Sequence, residues 1–195
     1  AIGKVKIDFT NIDLASVSGH KIFGLKGSGL LIKNKNLVIE PLIHGGKSTT
    51  NYRSGTPATG LMVAMMRSIE LIVPEIDSNY KKVEKLNKII LDEFKKYPQV
   101  HVNSTVNSIS YIINFSIKNI KSETFLHALE KEQIYISTKS ACSSGGISDA
   151  VYSVTKNREY ASSSLRVSLS YLTTEEEVRK FLEVFSRCLN ELTLK

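Results

Sequence analysis

The sequence has 195 residues, enough for one domain of ordinary size or for a large piece of a bigger protein. Its 42% hydrophobic and 23% charged residues are typical of a globular protein, and no apolar run approaches the ~20 residues that span a bilayer. The net charge of +7 comes from scattered basic residues, which argues against direct nucleic-acid binding. The two cysteines lie in unlike contexts and form no disulfide framework, so we expect a reducing, cytoplasmic setting.

The first third of the chain is rich in loops, since nine of the eleven glycines lie within the first 60 residues. Short strands are predicted at 12–18 and 28–32, on either side of a His-Lys turn. The segment ATGLMVAMMRSIELIV after Pro57 is apolar on nearly all sides, which predicts a buried helix. A second helix begins at Pro74 and ends before Pro98, because apolar residues recur there at every third or fourth position.

The second half of the sequence alternates strands and helices, which indicates an α/β unit. Apolar residues occupy every second position of 108–117, with mainly Ser and Asn opposite, as in a half-buried strand. A short helix at 122–131 and a strand IYIS precede a loop with the sequence TKSACSSGG. A further strand covers 165–170, and the last helix begins at Thr174, where Glu177 completes a capping box.

The stretch SVSGHKIFGLKGSG contains a His-Lys pair among glycines, yet it matches neither common nucleotide-binding pattern. Leu25 stands where a P-loop needs its lysine, and the dinucleotide pattern lacks its third glycine. The hydroxyl of Ser18, the imidazole of His20 and the amine of Lys21 remain at the end of a strand. Such groups suit the phosphate and aldehyde of pyridoxal 5′-phosphate (PLP), and a solvated surface turn is the simpler alternative.

Three other stretches carry candidate chemistry. The run HGGKSTTNYRSGTPA has glycines and hydroxyls near Arg53, which suit either an anion-binding turn or a plain loop. Cys142 lies in a polar loop near Lys139, where a cation favours the reactive thiolate, whereas Cys188 lies on the core side of the last helix. Arg166 falls on the polar side of its strand, which suits a carboxylate ligand or a structural ion pair. The histidines show no metal-ligand spacing.

In this order, these stretches resemble the cysteine desulfurases of the NifS/IscS kind, in the class V aminotransferase family. SGHKIFGLKGSG resembles their lysine motif, HGG followed by RSGTP their glycine-rich stretch, STKSACSSGG their cysteine loop and SSLRVSLSYLTTEEEV their arginine strand and final helix. The resemblance implies the C-terminal part of an α/β, fold-type I PLP-dependent transferase. Residues 1–73 would be the remnant of the PLP-binding large domain, and residues 74–195 the small C-terminal α/β domain.

The same resemblance implies which residues hold the cofactor. Lys21 would carry PLP through its amine and later move the α-proton of the substrate. Ser18 and His20 would contact the phosphate, and Thr56 would reach a phosphate across a homodimer interface.

For the substrate, the resemblance implies that Arg166 holds the carboxylate of L-cysteine. Cys142 would attack the substrate sulfur, which releases L-alanine and leaves a persulfide on the enzyme. The sulfur would then pass to an acceptor protein, such as an iron-sulfur scaffold or a tRNA-thiolation enzyme. Two alternatives remain: a related PLP-dependent lyase such as selenocysteine lyase, and a non-catalytic dimerisation or scaffold-binding module.

The sequence departs from the family pattern in three places. Leu25 replaces the usual proline, and the segment Lys47–Tyr52 lacks the usual Gly-Gln/His-Glu residues. Family members are about twice as long, and their other half supplies a histidine, an aspartate and a glutamine around the PLP ring. We therefore expect this chain alone to be inactive.

Overall fold

The computed structural model of the chain describes residues 2–46, 50–138 and 147–193. The chain forms two compact units, Ala1–Ser78 and Asn79–Lys195. The predicted division after residue 73, as a statement about the domains of a longer enzyme, stays a prediction. Within the described ranges, no helix is both long enough and apolar enough to cross a membrane.

The first unit is built on a β-hairpin. Strand β1 (Leu14–Ser18) pairs antiparallel with β2 (Gly29–Lys33), and a 3₁₀ turn (Gly19–Ile22) follows β1 directly. Both predicted strands are confirmed, with ends displaced by one or two residues. The unit also contains helix α1 (Thr59–Ile72), which is packed against the 3₁₀ turn.

The prediction that the helix after Pro57 is buried is wrong in this chain. Only Met65 and Ile72 of α1 are buried, and four of its large apolar side chains are more than half exposed. These are Met62, Val63, Met66 and Leu71. The physical reason is that α1 packs mainly against the short 3₁₀ turn, which covers only one side of the helix.

The second unit has a three-stranded antiparallel sheet in the order β3-β4-β5. The strands are β3 (Val100–Val102), β4 (Ile112–Ile117) and β5 (Ser164–Ser168). The described residues form five more helices, and the first of them begins at the end of the first unit. They are α2 (Ile76–Phe94), α3 (Ser122–Glu130), α4 (Asp149–Thr155), α5 (Arg158–Ser162) and α6 (Glu175–Thr193).

The core of the second unit lies between one sheet face and helices α2, α3 and α6. Ile113, Phe115 and Ile117 point into it and are fully buried, so the alternation predicted for this strand is confirmed. Phe185 of α6 is also fully buried, and its ring centroid lies 4.8 Å from that of Phe94. The opposite sheet face is polar, and α5 contacts it.

Further elements of the second unit can be compared with the sequence predictions. The predicted capping box of α6 is confirmed, since Thr174 N donates to Glu177 Oε2 at 2.8 Å and Glu177 N donates to Thr174 Oγ1 at 3.2 Å. Helices α4 and α5 were not predicted, because seven and five residues are too few for a clear apolar period. The predicted strand IYIS is wrong except for one bridge between Ser137 and Arg166, since the neighbouring residues make no ladder.

Candidate active site

Lys21 lies on the 3₁₀ turn that joins the strands of the hairpin. Gly19 N donates to the Ser28 carbonyl at 2.9 Å, and Gly24 N donates to the Gly19 carbonyl at 2.9 Å. A Cβ on Gly19 would lie 2.2 Å from Ser28 Oγ and 3.1 Å from the Ser28 carbonyl oxygen, so a larger residue would displace this hydroxyl from its hydrogen bond to the Leu25 carbonyl. The turn ends at Phe23, whose φ is 62°. The glycines therefore serve the reversal of the chain.

This turn presents the amine, imidazole and hydroxyl that the sequence singled out. His20 and Lys21 are exposed, and Ser18 is half-buried at the end of β1. None of the three side chains is hydrogen-bonded to another described residue. A primary amine can bond an aldehyde carbon, while an imidazole and a hydroxyl can donate to phosphate oxygens. This donor set fits PLP.

Thr56 lies on an exposed segment just before α1. Ser54 holds this segment in place, since its Oγ donates to the His44 carbonyl at 2.8 Å. Gly55 then adopts a φ of 111°, which favours glycine. The Thr56 hydroxyl makes no hydrogen bond within the described ranges and is open to a ligand. Residues 47–49 of the predicted anion-binding run lie outside the described residues.

Arg166 lies on β5, on the sheet face opposite the core, in the second unit. Its backbone exchanges hydrogen bonds with Ser137, at 3.1 and 2.6 Å, while across β4 its register partner is Asn114. Among the described residues, the guanidinium makes one long hydrogen bond, from Nη2 to Ser137 Oγ at 3.5 Å. Its Nε is buried and has no acceptor among the residues described. No described carboxylate forms an ion pair with it, which leaves the guanidinium available to a ligand.

A cavity of about 480 Å³ opens beside Arg166. Asn103, Asn114 and Ser104 line it from the sheet, and the start of α4 contributes Asp149. This volume lies in the ordinary range for pockets that bind small molecules. Arg166 is the cation among its described lining residues, so a carboxylate-bearing ligand is the chemistry that the cavity favours.

Sequence reasoning missed the polar residues that surround Arg166. Asn103, Asn114 and Ser116 are joined by hydrogen bonds on the same sheet face. The signal was present, because Ser and Asn alternate with apolar residues along β4. The pattern showed a polar face, but it could not show which strand would lie beside it.

The two cysteines have different outcomes. Cys142, the predicted nucleophile, and its neighbour Lys139 lie outside the described residues. Cys188 is 5% exposed in the core, as predicted, and burial raises the pKa of its thiol. Across the described part of the chain, no cluster of His, Cys, Asp and Glu could hold a metal ion.

Comparisons with known proteins agree with this geometry. Residues 1–181 match the family model for aminotransferase class-V. The cysteine desulfurase IscS of Dictyoglomus turgidum is 34% identical over 192 residues, which cover 96% of this chain and 49% of that protein. The IscS of Methanosarcina thermophila is also 34% identical, over 98% of this chain and 49% of its own.

A solved structure has the same fold. The NifS-like protein from Rickettsia africae superposes with a TM-score of 0.82 at 29% identity, covering 97% of this chain and 51% of that one. The predicted fold-type I architecture is thereby confirmed. The chain spans about half the length of the curated relatives it matches.

These relatives bear on the cofactor as well as on the fold. Class V aminotransferases and cysteine desulfurases depend on PLP in general, and the donor set of the lysine turn fits that cofactor. The match over residues 1–181, the IscS relatives and the NifS-like fold lead to one assignment: the chain belongs to the aminotransferase class-V family.

Proposed function

We propose that the protein containing this chain is a cysteine desulfurase, which converts L-cysteine to L-alanine and keeps the sulfur as a persulfide on Cys142. One observation carries this proposal. The motifs of Lys21, Cys142 and Arg166 occur in order in a chain whose relatives, 34% identical over nearly all of it, are named cysteine desulfurases. The persulfide sulfur would pass to an acceptor protein for iron-sulfur cluster assembly or tRNA thiolation.

The lysine turn would hold PLP. Lys21 would attach it through its amine, Ser18 and His20 would donate to its phosphate, and Thr56 would reach the phosphate of a partner subunit. When bound, PLP supplies an electron sink for the α-carbon of the amino acid. The exposed amine of Lys21 is free to move, so it can take the α-proton and return it.

Arg166 would bind the carboxylate of L-cysteine. Its guanidinium offers a planar fork of donors, which matches the two oxygens of a carboxylate. Among the described residues its buried Nε has no acceptor, and a buried donor without an acceptor is unfavourable, which supports a role for this side chain in binding an anion.

Cys142 would act as the nucleophile in its thiolate form. Its sulfur bonds to the substrate sulfur while the carbon–sulfur bond of the substrate breaks. The electron pair stays on the β-carbon, which takes up a proton and becomes the methyl group of alanine. A thiol and a cysteine thus give a persulfide and alanine, with no external reductant. Because Cys142 must remain a free thiol, we place the reaction in the cytoplasm.

The experiment incubates the protein containing this chain with PLP and L-cysteine, and measures alanine and persulfide. Cys142→Ala should abolish both products, whereas Cys188→Ala, the matched control, should retain them. If Cys142→Ala still released alanine from cysteine, a PLP-dependent lyase that needs no thiol would replace the proposal.

A second experiment tests whether PLP attaches to Lys21. Added PLP should give a visible absorbance band that is lost in Lys21→Ala and kept in Lys26→Ala, which changes an exposed lysine of the same loop. Borohydride reduction and peptide mass spectrometry should then place the cofactor on Lys21. If the protein stays colourless with PLP, a non-catalytic binding module becomes the better assignment.

We also infer that the protein acts as a homodimer. The uncovered apolar side chains of α1, such as Met62 and Met66, support a subunit contact, since a patch of this kind is unfavourable in water. Light scattering should give twice the protomer mass. Met66→Lys should weaken the dimer, while the exposed polar position Arg67→Ser should not change it.

A further inference from the structure

The polar sheet face beside Arg166 carries a short relay of hydrogen bonds. Ser116 Oγ lies 2.7 Å from the Tyr160 carbonyl oxygen, and Asn103 Nδ2 lies 2.7 Å from Ser116 Oγ. The same nitrogen of Asn103 lies 2.8 Å from Asn114 Oδ1. Ser116 is fully buried and Asn103 is 8% exposed. Shielding from water strengthens such bonds, so the relay is well ordered.

The direction of the relay is fixed at one end. The Tyr160 carbonyl can only accept, so Ser116 must donate its single proton to it. Ser116 Oγ then accepts from Asn103, which must present its amide nitrogen. The second hydrogen of that nitrogen goes to Asn114, whose Oδ1 accepts it. Asn114 Nδ2 is consequently turned away from Asn103.

Asn114 and Arg166 are register partners on adjacent strands and line the same cavity. Within the described ranges, neither Asn114 Nδ2 nor Arg166 Nε has an acceptor. Asp149 is the carboxylate among the described lining residues, and it is exposed to solvent. The two side chains therefore lie on one sheet face and border one cavity, where an anionic ligand could accept hydrogen bonds from both residues.

We propose that Asn114 is a second contact for the substrate carboxylate. Asn114 Nδ2 donates to the carboxylate that Arg166 holds, and Asn103 and Ser116 are positioning residues that keep this nitrogen toward the ligand. The inference rests on the proposed function and deepens it. It assigns carboxylate recognition to residues on two neighbouring strands. The second donor would fix the orientation of the carboxylate, which could tilt if only the guanidinium held it.

The test uses the ¹⁵N-labelled protein that contains this chain, titrated with L-alanine, which carries the carboxylate without the thiol. Two-dimensional NMR follows the Arg166 Nε–H and the Asn114 Nδ2 hydrogens separately. Both signals should shift with one dissociation constant. An unmoved Asn114 signal overturns the inference whatever Arg166 does, and this measurement needs no variant that could fail to fold.

Variants then separate contact from positioning. Asn114→Asp replaces the donor by a negative charge beside Arg166 and should weaken L-alanine binding at least about tenfold. Asn190→Asp makes the same change of charge on the exposed side of α6 and should bind as the wild type does. Ser116→Ala removes the hydroxyl that accepts from Asn103, so it should free the Asn103 amide to turn and weaken binding, although Ser116 is fully buried and does not line the cavity.

The outcomes distinguish this inference from the proposed function. If Arg166→Ala abolishes binding while Asn114→Asp binds normally, the role of Asn114 is wrong and that of Arg166 stands. If neither signal of the wild-type chain moves with L-alanine, both the inference and the proposed carboxylate role of Arg166 fail.

Discussion

Removal of the Ser116 hydroxyl measures how much the hydrogen-bond relay on the polar sheet face contributes to the free energy of unfolding. Ser116→Ala deletes two hydrogen bonds, each 2.7 Å long, and leaves one Asn103 hydrogen buried and the part-buried Tyr160 carbonyl without those partners. One buried hydrogen bond contributes about 0.5–1.5 kcal/mol net, and leaving partners unsatisfied moves the loss to the upper end. We therefore expect the free energy of unfolding to fall by about 2–3 kcal/mol.

The assay is urea unfolding followed by the near-UV tyrosine signal. The chain has no tryptophan, and of its eight tyrosines only Tyr52 precedes residue 79, so the signal reports the second unit. With a urea m-value of about 2 kcal/mol/M, the midpoint should fall by about 1 M. Ser168→Ala, an exposed position on the same strand, should change stability by less than about 0.5 kcal/mol. A Ser116→Ala midpoint within about 0.2 M of the wild type would refute the reasoning.

Three further predictions concern the helix cap, the lysine turn and the buried thiol. Thr174→Ala should cost about 1 kcal/mol of unfolding free energy in the same urea assay, because the capping box is lost. Thr174→Ser should keep it, and equal midpoints for the two variants would contradict this. Gly19→Ala places a Cβ 2.2 Å from Ser28 Oγ and should cost about 1–3 kcal/mol locally, seen as about tenfold faster amide exchange in β1 and β2. Gly60→Ala meets nothing within 4 Å and should leave that exchange unchanged, so similar exchange in both variants would count against the steric argument. Because burial raises the pKa of the Cys188 thiol above its unfolded value, stability should fall as pH rises above about 8.5. Cys188→Ala should remove that part of the alkaline decline in urea midpoints, and an unchanged decline would show that the thiol does not contribute.

The sheet of the second unit shows how far a local pattern reaches. Alternation along β4 and β5 predicted which side chains face the core, and it placed Arg166 on the opposite face, because the side-chain period of a strand is two. The pairing of Asn114 with Arg166 was not predictable in this way. It depends on the register of β4 against β5, which pairs residues 52 positions apart in sequence. The local sequence pattern of one strand does not determine that register.

Helix α1 shows a different limit. Its apolar residues lie on nearly all sides of the helix, and such a pattern predicts that the helix is covered on all sides. In this chain, only the side with Met65 and Ile72 is covered. Periodicity therefore predicted the helix correctly, but it could not predict how much of the surface that packs against α1 belongs to this chain.

The candidate carboxylate site and the lysine turn lie in units that differ in the size of their apolar cores. Arg166 and Asn114 project from a sheet whose other face is packed by fully buried side chains, so the backbone that carries them is fixed before a ligand binds. Lys21 lies in a unit whose buried large apolar side chains, in the described ranges, are Ile22, Met65, Ile72 and Ile76.

This difference suits the two tasks of the proposed reaction. Recognition of a carboxylate gains from rigid donors, since a misplaced donor loses most of its hydrogen bond. A lysine that carries a cofactor and also moves a proton needs a fixed backbone with a free side chain. The hydrogen bonds of Gly19 and Gly24 fix that backbone, while the amine of Lys21 remains exposed. Substitutions on the sheet should therefore act mainly on KM, and substitutions on the turn mainly on kcat.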